Sequence, residues 1–128
     1  MTTKHRIPVP TESAEQIALF QWASLAALNR PELGLLVAIP NGGWRTLETG
    51  ARMKREGVKA GFPDIMLPVP RGKYHGLFIE MKRRRGGHFD EFQKVWAKEL
   101  IGQGYYHCVT MGWEHAVKVI EAYLRGEE

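Results

Sequence analysis

At 128 residues the chain is long enough for one domain with a single modest core. Its 44% hydrophobic and 25% charged residues are ordinary globular material, which excludes a disordered or fibrous protein. Eighteen basic against 14 acidic residues give a net charge of +4, a balance that favours nucleic acid or another anionic partner.

No apolar run approaches the roughly 20 residues of a membrane-spanning helix, so no membrane partner is expected. The opening MTTKHRIPVP has no apolar core of a signal peptide, and a cytoplasmic location is expected. The single cysteine, Cys108, rules out an internal disulfide and fits a reducing compartment. It lies in an apolar, strand-like stretch, where inert packing is the better reading. The five histidines show no zinc-ligand spacing. Residues 1–10 read as a flexible lead-in and residues 11–126 as one domain.

The first helix opens at Pro10-Thr-Glu-Ser13, with Ser13 and Gln16 in a capping-box pattern, and ends at Asn29-Arg30-Pro31. Ala14, Ile17, Ala18, Leu25 and Leu28 form its apolar side, while Glu15 heads a row continued by Leu19, Trp22 and Ala26. Glu15 reads either as a carboxylate complementing the helix dipole or as an acidic group reaching a site. Leu33–Ile39 is a continuous apolar run, short enough for a buried strand, and it stops at the turn chemistry of Pro40-Asn41-Gly42-Gly43. A surface helix is expected over Thr46–Glu56, and Arg45, Arg52, Lys54, Arg55 and Lys59 make this stretch basic.

Gly61–Lys82 reads as two strands, Asp64–Val69 and Leu77–Arg83, separated by Pro68, Pro70 and Gly72. Side chains alternate along a strand, so Glu80 and Lys82 share one face and Ile79 and Met81 the other. Asp64 can lie beside Glu80 if the strands pair. Two carboxylates and an ammonium then converge on one small volume. Hard cations such as Mg²⁺ take oxygen ligands of this kind, and the chemistry that wants the set is metal-assisted phosphodiester cleavage. The alternative is an ordinary Glu–Lys pair on a solvated ribbon.

Arg83, Arg84 and Arg85, leaving the same strand before Gly86-Gly87, are expected to contact phosphate. Phe89–Ile101 is a helix with Phe89, Phe92, Trp96 and Leu100 on one side. Gln93 shares that side and needs hydrogen-bond partners, either a nearby loop or, as a functional group, Lys82 or a substrate phosphate that it orients. A strand over Tyr105–Met111 and a helix over Trp113–Leu124, with Ala116, Val117, Ile120 and Leu124 as its buried stripe, complete the chain. The order helix, strand, helix, two strands, helix, strand, helix predicts an α/β fold, a central mixed sheet flanked by helices.

With these blocks in place the chain resembles the VRR-NUC (virus-type replication-repair nuclease) family of the PD-(D/E)XK superfamily. The matching pieces run from Glu15 through Pro40-Asn41-Gly42 and Lys59-Ala60-Gly61-Phe62-Pro63-Asp64. They continue through Ile79-Glu80-Met81-Lys82, Gln93 and Gly104-Tyr105. The resemblance implies a restriction-endonuclease-like core and a Mg²⁺- or Mn²⁺-dependent endonuclease yielding 5′-phosphate and 3′-hydroxyl ends. It implies Asp64, Glu80 and the Met81 carbonyl as metal ligands, Glu15 as a further acidic ligand, Lys82 as the catalytic lysine and Gln93 as its support. Lys59, Arg45 and Asn41 join the three arginines as expected DNA contacts. Stand-alone members imply a phage or prophage homodimer acting on branched DNA such as Holliday junctions. A flap, nick or restriction-type specificity, or a non-catalytic DNA-binding module, are the alternatives.

Overall fold

The computed structural model describes residues 8–40 and 47–127. Asn41, Arg45, the turn they flank, the start of the second helix and most of the lead-in lie outside the described residues. The elements run α1 (Glu12–Ala26), a 3-10 turn (Pro31–Leu35), β1 (Val37–Ala38), α2 (Leu47–Arg55), β2 (Ile65–Leu67), β3 (Leu77–Lys82), α3 (Glu91–Gly102), β4 (Tyr106–Met111) and α4 (Trp113–Leu124). The four strands form one mixed sheet in the order β1-β2-β3-β4. β1, β2 and β3 are antiparallel neighbours, and β4 joins β3 in parallel after the α3 crossover. The expected α/β architecture is the one observed.

β3 is buried along its whole length, as a strand covered on both faces must be. Leu77, Ile79 and Met81 point into the main core, where they meet Leu19 and Ala23 of α1 and Ala116, Ile120 and Tyr123 of α4. On the opposite face Phe78 meets Phe62 and Tyr105 edge to face, at centroid separations of 5.4 and 5.1 Å. Glu80 and Lys82 follow Phe78 on that second face, where α3 also packs.

Four local expectations are corrected. α1 is capped by Thr11, whose hydroxyl accepts from the Ala14 N–H at 3.0 Å, and not by Ser13. Its buried row is Glu15, Leu19 and Ala23, whereas Ile17, Leu25 and Leu28 are exposed. The helix carries apolar residues on several sides, so composition does not say which face goes in. Leu33–Ile39 is not a buried strand: Pro31 starts a 3-10 turn, Leu33 and Leu36 reach the core, and the two residues that pair are exposed at the sheet edge. Phe92 is likewise 67% exposed on α3.

Candidate active site

β2 and β3 pair with Ile65 opposite Ile79 and Leu67 opposite Leu77. One further step in this register sets Asp64 opposite Glu80. Asp64 is anchored there: its Oδ2 accepts the Met81 backbone N–H at 2.8 Å. Glu80 and Lys82 are 1% and 5% exposed. Charged groups this deep must be paired or neutralised.

The partner is Gln93. Asp90 caps α3 by accepting the Gln93 N–H at 2.9 Å, and the Gln93 side chain returns to the Asp90 N–H at 2.9 Å. The same Oε1 accepts from Lys82 Nζ at 3.1 Å, while Nε2 donates to Glu80 Oε1 at 2.9 Å. One amide thus ties the lysine to the carboxylate and locks both to a helix N-terminus. Of the sequence readings of Gln93, loop partner and Lys82 partner both describe what it does. Gly61 makes this approach feasible. Its φ is +85°, and a Cβ would come within 2.6 Å of Phe92 in the first turn of α3.

Burial pushes the Glu80 carboxyl up to about 9, helped by the adjoining Asp64 and by Glu12 and opposed by Lys82. Its Oε2 is buried with no N–H or hydroxyl donor among the described residues, and the side-chain hydrogen bond between Glu80 and Asp64 needs a proton held between the two carboxyls. Two carboxyls so placed, one with an oxygen that lacks such a donor, are the donor set of a hard cation, so the residues fit Mg²⁺ or Mn²⁺. No group of three His, Cys, Asp or Glu side chains among the described residues encloses a metal position.

The α1 carboxyl that feels the field of this site is Glu12, which the sequence reading did not single out. Burial, and then the field of Asp64, raise its carboxyl, with Lys82 and Arg83 opposing. Glu15, 2% exposed, points elsewhere. Its Oε2 accepts from Arg84 Nε at 2.8 Å and its Oε1 from the Trp113 N–H at 3.3 Å. Glu12 and Glu15 are three residues apart on one helix side, and Glu12 directly follows the Thr11 cap.

Among the expected phosphate contacts, Arg83, Arg84, Arg85 and Lys59 are all exposed. Arg84 already bridges Glu15 and Glu114, the latter at 2.7 Å, so its charge is committed within the protein. Arg83 reaches the Val9 carbonyl at 3.4 Å. No helix among the described residues is long and apolar enough to cross a membrane.

No family model and no curated protein matches the chain. A solved structure described as a VRR_NUC domain protein does, with a TM-score of 0.81 and 29% identity over 95% of this chain and 94% of that one. Agreement over nearly the full length of both chains gives this protein the VRR_NUC fold, PD-(D/E)XK-like, an architecture that implies a nuclease with a DNA substrate and a divalent metal.

Proposed function

We propose that the protein is a Mg²⁺- or Mn²⁺-dependent DNA endonuclease selective for branched structures, acting as a homodimer on four-way junctions. The observation that carries the metal-dependent part is the buried Glu80 carboxyl beside Asp64, its Oε2 without an N–H or hydroxyl donor among the described residues, tied through Gln93 to Lys82. Asp64, Glu80 and the Met81 carbonyl would hold the ion, with Glu12 rather than Glu15 as the further acidic group. When bound, the ion polarises the scissile phosphate and lowers the pKa of a bound water.

The chain's own residues do the rest. Lys82 Nζ, fixed by Gln93, orients the attacking water and offsets charge that develops on the phosphate oxygens. Gln93 keeps Lys82 and Glu80 in one geometry, which is worth most when the reacting atoms must align in line. Asp64 is held by the Met81 N–H, so the two carboxylates cannot drift apart. Arg83, Arg85 and Lys59 supply phosphate contacts, which give affinity without reading sequence. One chain brings one such site, and paired cuts across a junction need two. That count supports the dimer.

The test is cleavage of an immobile four-way junction and a matched linear duplex, with Mg²⁺ or Mn²⁺, by wild type and Lys82→Ala. Paired cuts confined to the junction and lost in the variant are the expected result. Equal cutting of the duplex removes the branch selectivity and keeps the nuclease. No cutting of either DNA, with binding retained, turns the reading to a DNA-binding module.

A further inference from the structure

Beside the site, on the far side of Phe62, lies a cleft of about 390 Å³ lined by Ile39, Pro40, Val58, Phe62 and Trp96, with Glu56 and Lys59 among its polar groups. Phe62 is two residues from Asp64, and Ile39 donates its N–H to the Asp64 carbonyl at 2.7 Å. Two extended residues span about 7 Å, and a DNA strand rises about 3.4 Å per base. The cleft therefore sits within about two nucleotides of the carboxylates. The aromatic walls are fixed: Phe62 and Trp96 pack edge to face at 5.0 Å, and the Trp96 indole N–H is used by the Ala60 carbonyl at 3.1 Å. What Trp96 offers a ligand is its apolar ring. The helix α2, which leads into the cleft-lining residues 56–59, brings Lys54 and Arg55 as a cationic flank for a phosphate backbone, Arg52 being paired with Glu56 at 3.4 Å.

We infer that this cleft receives one unpaired nucleobase of the DNA, next to the scissile phosphate. This rests on the nuclease reading and adds a device by which such a site selects branched substrates. Aromatic and aliphatic walls bind any base by stacking, and Lys59 gives a donor for its edge, Glu56 being held by Arg52. Extruding a base from intact duplex costs unstacking and unpairing energy, and that cost is least where pairing is already broken. A branch point, where the continuous stack is interrupted, lowers that cost for the pairs flanking it. A linear duplex does not. The cleft thereby turns a local stacking interaction into preference for a structure rather than a sequence. Charge complementarity favours this occupant over an apolar side chain from another protein, because the flank beside the cleft is cationic.

The experiment is an abasic scan read by affinity in EDTA, where binding is separated from cleavage. Four-way junctions carrying a single abasic site at each nucleotide near the branch are titrated against the wild-type protein. The expected result is one position whose base loss weakens binding on the order of tenfold, with its neighbours near unity. The same scan on Val58→Trp and the milder Val58→Met, which fill the cleft, should be flat at that position, with intact junction bound about as weakly as the abasic one. A flat wild-type scan overturns the inference, and it is the outcome expected if the cleft instead holds a side chain of another chain. A positional loss unchanged in both folded variants also overturns it, since the base is then read elsewhere. Cleavage with Mn²⁺ but a flat scan leaves the nuclease and removes the cleft. A positional effect without any cleavage keeps the cleft and removes the nuclease.

Discussion

Two carboxylates, Glu15 and Glu80, are almost equally buried, and they differ in what surrounds them. Glu15 is answered on every side: Arg84 from the loop after β3 and the Trp113 N–H at the start of α4. Glu80 is answered on one oxygen only, by Gln93, and faces Asp64 with the other. A satisfied buried charge holds elements together. A half-satisfied carboxyl crowded against a second carboxylate keeps its proton in place of its charge, and a cation can displace that proton. Glu15 thus joins α1, α4 and the arginine loop, whereas Glu80 is the carboxylate we propose for the chemistry.

That contrast is broken most severely on the Glu80 side. Lys82→Ala is expected to lower metal-dependent cleavage on the order of 10²–10⁴-fold. Its unfolding midpoint should stay close to wild type, since the lysine's one hydrogen bond among those described is to Gln93. Single-turnover cleavage with Mn²⁺ and thermal unfolding, run together, check both halves. Cleavage within threefold of wild type would remove Lys82 from the mechanism. A smaller loss is expected for Gly61→Ala, which touches no charged group. Its Cβ would strike the Phe92 backbone and force α3 back, carrying Gln93 away from Lys82 and Glu80. Misplacement of that kind costs up to about 10²-fold in rate, and a side chain at φ +85° adds about 1–2 kcal/mol of destabilisation. Unchanged rates in a folded Gly61→Ala protein would show that Gln93 placement is not limiting.

On the Glu15 side the expected readout is stability. Glu15→Ala removes an acceptor for the Trp113 N–H and leaves Arg84 with Glu114 alone, a loss of about 1–3 kcal/mol. Junction cleavage, measured well below the unfolding midpoint, should remain within a few-fold of wild type. Glu12→Ala should do the reverse, with little change in midpoint and a clear loss of cleavage. If Glu15→Ala unfolds normally and abolishes cleavage, the two carboxylates have been assigned the wrong way round.

The same pair shows what the sequence could and could not disclose. Asp64, Glu80 and Lys82 were legible because a strand has a period of two: once β2 and β3 pair, alternation alone sends Glu80 and Lys82 to one face. Gln93 was legible because an amide on an apolar helix face needs partners. Glu15 and Glu12 were not separable, being one helical turn apart. The choice between them is made by Arg84 and Trp113, which lie 69 and 98 residues downstream of Glu15. No local pattern carries that information. Leu33–Ile39 failed for a similar reason. Its apolar residues fit a buried strand equally well, and only the position of β1 at the sheet edge leaves Val37 in solvent. Arg84 read as a phosphate contact from its sign and place, yet two carboxylates from distant elements already hold it.

The last expected effect concerns protons and follows from the crowded Glu80 carboxyl. Its carboxyl is raised from an ordinary 4.5 to about 9, by burial first and then by Asp64. Below about pH 4.5 the folded and unfolded chains both keep this proton, and its contribution to stability is fully present. Between that value and about 9 the unfolded chain has released the proton and the folded chain has not, so stability of the metal-free protein declines as pH rises. The unfolding midpoint in EDTA should therefore fall gradually from pH 5 to 9. A divalent ion competes with the proton for the same oxygens, so its affinity should climb over that window, by up to about tenfold per pH unit for one proton displaced. Glu80→Gln cannot ionise and should flatten the decline in EDTA. It should also abolish most of the gain in midpoint that Mn²⁺ brings to the wild type at pH 8. Glu15→Gln should leave that Mn²⁺ gain in place. Equal Mn²⁺ responses in the two variants would mean that the buried oxygen of Glu80 is no more a metal ligand than the locked carboxylate of Glu15.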